Sequence, residues 1–192
     1  GSYDAIEYLE IFKNIYFEEA DLENFYSFVL SKKENQNKKV LVIGKFMPPH
    51  LGHKALIDFA KEFGEVYVIV DHLKEETIDT KTRVDILKND IGNIHVIPLT
   101  QYMPQNPKSD KEFDYKKQNY NGFWDMWRNE ILKNTYQYLN IKIDDLNGNL
   151  KNYFDYVIAS EEYGLALSNE LSDEYKKTNF VLYDINRKNI KI

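Results

Sequence analysis

The chain has 192 residues, 43% hydrophobic and 15% aromatic, which suits one α/β domain with a good core and a short extension. Lys+Arg number 25 against 31 Asp+Glu, and a formal net charge of -6 disfavours a polyanionic partner such as DNA or RNA. With no cysteine, disulfides, thiolate metal sites and cysteine nucleophiles are excluded, and a reducing cytoplasm is the expected home.

Gly1-Ser2 reads as a cloning remnant. No apolar run approaches the roughly 20 residues of a membrane span, and no signal-type apolar segment opens the chain. Ile6, Leu9, Phe12 and Ile15 or Tyr16 recur at helical spacing, as do Leu22, Phe25 and Val29. Residues 3–30 are therefore expected to form two short amphipathic helices broken near Glu18 to Asp21, before the polar linker SKKENQNKK. The segment is acidic and lacks arginine, which favours a docking or dimerisation appendage over a DNA-reading helix-turn-helix. Residues 1–38 are assigned to this extension and 39–192 to the main domain.

From Lys39 strands and helices alternate. KVLVIG predicts a buried strand, and His50 to Phe63 a helix closed by Gly64. EVYVIV predicts a second strand, and DTKTRVDILKND a helix with Asp79 or Thr80 as N-cap. NIHVIPL predicts a third strand, followed by a polar loop from Gln101 to Asn121. GFWDMWRNEILKNTYQYL predicts a helix, YFDYVIAS a strand, EEYGLALSNEL a helix and NFVLYD a last strand. Such alternation implies a doubly wound parallel sheet.

Ligands of such sheets gather outside the carboxyl ends of the strands, which draws attention to the turn after the first strand. It holds neither G-x-G-x-x-G nor G-x-x-x-x-G-K-[ST]. It reads Gly44-Lys45-Phe46-Met47-Pro48-Pro49-His50-Leu51-Gly52-His53. Here Gly44 is expected to allow a sharp turn, the prolines to stiffen the loop, and His50 and His53 to share one face of a first helical turn. Free N–H groups at that helix start, with Lys45 beside them, would greet an anion. Gly52 leaves room for a nucleotide to approach.

G-x-F-x-P-x-H-x-G-H resembles the signature of the nucleotidylyltransferase superfamily, and the GKF-P-H-GH form is most similar to nicotinamide-mononucleotide (NMN) adenylyltransferases. TRVDILK resembles the family's Arg-bearing helix. NGFWDMWRNEI, IASEEYG and YDINRKNIKI resemble, in order, segments of its bacterial regulator-type branch. The likeness covers about Lys39 to Ile192 and implies a Rossmann-like nucleotidylyltransferase fold. The sequence stops at Ile192, where an S-G-x-x-I-R motif should begin, so a shortened C-terminus is expected. No Walker motif follows, and the kinase activity of the larger relatives is not carried over.

The resemblance implies adenylyl transfer from ATP to NMN, giving NAD and pyrophosphate. His50 and His53 would donate to the ATP phosphates and Lys45 would hold one. Gly44, Phe46, Gly52, Arg83, Ser160 and Arg187 complete the implied ATP site. Phe46, Trp124, Trp127 and Arg128 would hold NMN, with a tryptophan on the cationic nicotinamide ring. Mg²⁺ would ride mainly on phosphates and water, with no protein ligands. For Arg83 a structural salt bridge is the competing reading, for Arg128 a surface arginine; for Ser160, Glu161 and Glu162 it is helix capping. Asp71 and His72 end the second strand at the ligand edge, His72 as a loop residue, while His95 is expected to be structural. Two alternatives remain: a nucleotide-sensing or assembly module without turnover, and an enzyme using nicotinate mononucleotide or a phosphopantetheine-like acceptor. A homo-oligomer is compatible with all three.

Overall fold

A computed structural model of the chain describes residues 37–106, 122–143 and 150–183. The expectations for residues 3–30, Arg187, the C-terminal motif and most of the loop before Asn121 lie outside these residues.

Five strands and four helices alternate among the described residues: β1 (Lys39–Gly44), α1 (Leu51–Ala60), β2 (Glu65–Val70), α2 (Thr80–Asp90), β3 (His95–Pro98), α3 (Phe123–Tyr138), β4 (Tyr156–Ala159), α4 (Tyr163–Leu171) and β5 (Asn179–Leu182). All strand pairs are parallel, and the spatial order is β3-β2-β1-β4-β5. This is the doubly wound sheet expected. The order reverses direction between β1 and β4, and there the chain leaves a crevice at the carboxyl edge.

Side chains alternate across a strand, so the apolar runs of β1 and β2 feed two cores at once. Val40, Val42, Val66, Val68 and Val70 pack with Leu56, Ile57, Val84 and Leu87 on the α1–α2 face. Leu41, Ile43, Tyr67 and Ile69 pack with Ile131, Leu132, Leu167 and Leu171 on the α3–α4 face. Each such buried aliphatic side chain contributes about 1.5–3 kcal/mol.

Elements run shorter than the apolar pattern suggests. Helix α1 ends at Ala60, because Glu62 and Phe63 N–H groups bond the Phe59 and Ala60 carbonyls in a tightened turn. Gly64 then takes φ 153° on the way into β2, so it serves the strand entry rather than the helix end. His50 is not in the helix; it is the N-cap, with extended backbone. Asp79, rather than Thr80, caps α2, its carboxylate accepting from the Thr82 N–H at 2.7 Å. His95 is structural as expected: it stacks on Tyr67 and bonds Glu65 at the amino edge of the sheet, away from the crevice. No helix of the described residues is long and apolar enough to cross a membrane.

Candidate functional site

A cavity of about 530 Å³ opens at the carboxyl ends of β1, β2 and β4. That volume lies within the usual range of small-ligand sites. Its walls bring together Gly44, Lys45, Phe46, His53, Trp124, Trp127 and Ser160 from the sequence-derived set. Carrying the β1–β4 register onward brings Gly44 opposite Ser160, which explains how two residues so distant in sequence share a wall.

The turn after β1 is built around Phe46. Its ring is buried while its backbone takes φ 51°, an uncommon conformation for a bulky residue and a local cost of roughly 1–2 kcal/mol. Gly44 is needed for that ring rather than for a positive φ: a Cβ at Gly44 would lie 3.0 Å from the ring's Cζ. The following Met47–Pro48 peptide bond is cis.

At the start of α1 the two histidines cap each other. His50 Nδ1 accepts from the N–H groups of Gly52 at 3.1 Å and His53 at 3.4 Å, and His53 Nδ1 accepts from the His50 N–H at 3.1 Å. The N–H groups expected to be open to an anion are thus occupied by imidazole nitrogens. The capping has a chemical result. Each Nδ1 is an acceptor, so each ring carries its proton on Nε2 and offers that N–H outward. The rings stack with centroids 3.6 Å apart, and Phe46 meets His53 edge-on at 4.8 Å. Burial, with the neighbouring His50 charge second, lowers the His53 pKa to about 4. His53 is therefore a neutral donor on the cavity wall, while His50 sits exposed beside it and Gly52 lies within the capped turn.

Arg83 is not available to a ligand in this arrangement. Its side chain is wholly out of solvent, and all three guanidinium nitrogens donate. Nη1 bonds the backbone carbonyls of Lys45 at 2.6 Å and Asp71 at 2.9 Å, Nε bonds Ile78, and Nη2 bonds Glu76 and Thr80. It ties the loop after β1 to the loop after β2 and so fixes the backbone that carries Lys45. Arg128 is also committed, to the Leu150 carbonyl at 2.8 Å and Asp173 at 3.2 Å, away from the cavity. His72 stacks on Tyr102 and lies near Glu76 and Thr80, a loop residue as expected.

Trp127 is anchored by an Nε1–H bond to the Pro104 carbonyl, and its ring is buried. Trp124, one turn earlier, is half-buried and packs edge-on with Phe123. Both indoles reach the cavity, so the helix face anticipated from their spacing of three exists. Ser160 and Glu161 also line the cavity; Glu162 occupies the N-cap position of α4 without a side-chain cap bond.

The chain matches no known protein-family model and no curated protein. Its functional reading therefore stands on the site itself. Among the wall residues not put forward from sequence as site residues, two are polar groups set at the strand ends. Tyr163 donates its hydroxyl to the Ile43 carbonyl at 3.1 Å, and burial pushes its pKa up to about 12. Nothing local in the sequence announces that contact, which spans 120 positions. Asp71 is the second; its signal is an acidic residue placed directly after an apolar strand, at the carboxyl edge. Among the described residues, no three His, Asp or Glu side chains cluster tightly enough to hold a metal ion.

Proposed function

We propose that this domain transfers the adenylyl group of ATP to nicotinamide mononucleotide, releasing pyrophosphate and giving NAD. The observation that carries the reading is one cavity shared by Lys45, His53 and Ser160 and by the indoles of Trp124 and Trp127. Phosphate-binding and ring-binding chemistry thus lie within a single volume at the switch point of the sheet. The G-K-F…H-x-G-H turn supplies the first group and the W-x-x-W helix the second.

In the reaction a 5′-phosphate oxygen of the mononucleotide attacks the α-phosphorus of ATP in line. A new P–O bond forms as the bond to the pyrophosphate oxygen breaks. No covalent partner from the protein is required, so positioning and charge stabilisation do the work. His53 donates Nε2–H to a phosphate oxygen as a neutral imidazole, its pKa of about 4 making the imidazolium scarce near neutrality. Lys45 adds positive charge from the loop that Arg83 fixes. The indoles face the cationic nicotinamide ring. Mg²⁺, entering on the ATP phosphates, supplies charge neutralisation for the leaving pyrophosphate.

The test is direct: NMN, ATP and Mg²⁺ should yield NAD and pyrophosphate. His53→Ala should lower kcat by on the order of 10²–10³-fold. Absence of product, also from a chain extended through an S-G-x-x-I-R segment, would sink the reading. Binding of NAD or ATP without any turnover would favour a nucleotide-sensing module instead.

A further inference from the structure

At the amino edge of the sheet, the opposite end of the strands from the cavity, side chains form a chain of hydrogen bonds that adenylyl transfer does not use. Glu65 opens β2, His95 opens β3 and Tyr138 closes α3. The β2–β3 register sets Tyr67 opposite His95, and their rings stack with centroids 4.4 Å apart. Glu65 Oε2 pairs with the Lys39 ammonium, and Oε1 accepts from His95 Nε2 at 2.5 Å. Burial works against charge on Glu65, but the bonds from Lys39 and His95 outweigh it and hold the carboxyl below its ordinary range. An ionised carboxylate can only accept, so Nε2 carries the imidazole proton. Nδ1 of the neutral ring is then an acceptor, and the Tyr138 hydroxyl donates to it at 2.8 Å.

The contacts that make His95 structural thus leave its second ring nitrogen aimed at a hydroxyl. A hydroxyl, an imidazole that takes its proton and a carboxylate that orients the imidazole are the parts of an activated nucleophile. Tyr138 is 43% exposed, so a molecule from solvent can reach its oxygen. As that oxygen attacks, the imidazolium that forms lies against Glu65, which compensates its charge. Tyr175 is the contrast. It is 60% exposed, yet its neighbour is Glu174, whose charge raises its pKa and whose carboxylate is a weaker base than an imidazole.

Lys39, the cation in this chain of contacts, is already paired with Glu65. A phosphoryl or sulfuryl donor would therefore bring its negative charge toward a carboxylate, whereas an uncharged acyl donor would not. We propose that Tyr138 is an acyl-acceptor site for activated, uncharged acyl donors, with His95 as its general base and Glu65 orienting the imidazole. The Tyr138 oxygen attacks the acyl carbonyl, a new C–O bond forms and the bond to the leaving group breaks. The phenolic proton passes to His95 Nδ1 and from there to the departing group. The product is an aryl ester on the last residue of α3. This site stands independently of the adenylyl-transfer reading.

N-acetylimidazole is such a donor. At about pH 8, limiting reagent followed by peptide mass spectrometry should show Tyr138 acetylated at least about tenfold faster than Tyr175, with hydroxylamine reversing the modification. His95→Gln keeps a hydrogen-bonding side chain but no base, and should bring Tyr138 down to the rate of Tyr175. Glu65→Gln should lower the Tyr138 rate in the same direction, and it decides the matter if His95→Gln does not fold. Similar rates for the two tyrosines in the unmodified chain, or a Tyr138 preference undiminished by either substitution, would overturn the assignment. Acetyl phosphate carries the same acyl group on an anionic donor and should show a smaller preference for Tyr138. An equal preference would overturn the restriction to uncharged donors.

Discussion

Replacing Arg83 with methionine separates a scaffold role from a ligand-binding one. Methionine keeps an unbranched apolar stem, so the change falls mainly on the guanidinium and its bonds. Two backbone carbonyls, of Lys45 and Asp71, lose their Arg83 donor, as does the carbonyl of Ile78. Each buried acceptor left unpaired costs about 1–3 kcal/mol. Glu76 loses its charged partner but keeps bonds from the Leu73 N–H and the Thr80 hydroxyl, which limits its share. Breaking a buried pair from one side typically costs about 3–5 kcal/mol, and that is the loss expected here. Urea unfolding followed by tryptophan fluorescence reads it as a lower midpoint at unchanged slope. Arg83→Lys should recover little, since an ammonium cannot reproduce the fork that spans two loops. A loss under about 1 kcal/mol, combined with a tenfold rise in KM for ATP, would refute the scaffold role.

Three further outcomes are expected. Burial pushes Asp71 from its ordinary 3.8 up to about 7, so the native chain binds a proton that the unfolded chain has released. Its contribution to stability therefore falls as pH rises from about 4 to about 7, and then levels off. Asp71→Asn should accordingly raise Tm at pH 8 far more than at pH 4, and equal shifts at both would contradict the burial argument. The His53 Cε1 proton resonance should inflect near pH 4; an inflection near 6.5 would mean that the ring is solvated. Gly164→Ala would drive a Cβ to 2.2 Å from the Phe180 ring edge, and a loss of about 1–3 kcal/mol is expected by denaturant unfolding. An unchanged midpoint would show that the Phe180 ring swings aside freely.

What the sequence makes legible is whatever is local and periodic. The continuous apolar runs of β1 and β2 and the three-residue spacing of the tryptophans belong to single segments, and each reads correctly from its own residues. Boundaries shift because apolar character continues past the last ladder bond, as at Phe63, which is buried but lies outside α1. His50 evades the capping rules, which look for a hydroxyl or carboxylate before a helix rather than an imidazole. The roles of Arg83 and Tyr163 depend on partners 38 and 120 positions away, and no spacing rule reaches that far. The orphaned oxygen of Asp71 is harder still, because an absence of partners exists only once the chain is folded.

The reciprocal cap at the start of α1 has a consequence for how the domain meets acid. Protonating the Nδ1 of His53 would turn an acceptor into a donor facing the His50 N–H, and the cap would open. Extra positive charge at this place thus comes at the expense of the helix start that holds it. A cation-rich anion trap grips harder as the medium acidifies; this one would loosen, because the same two rings supply its donors and its framework.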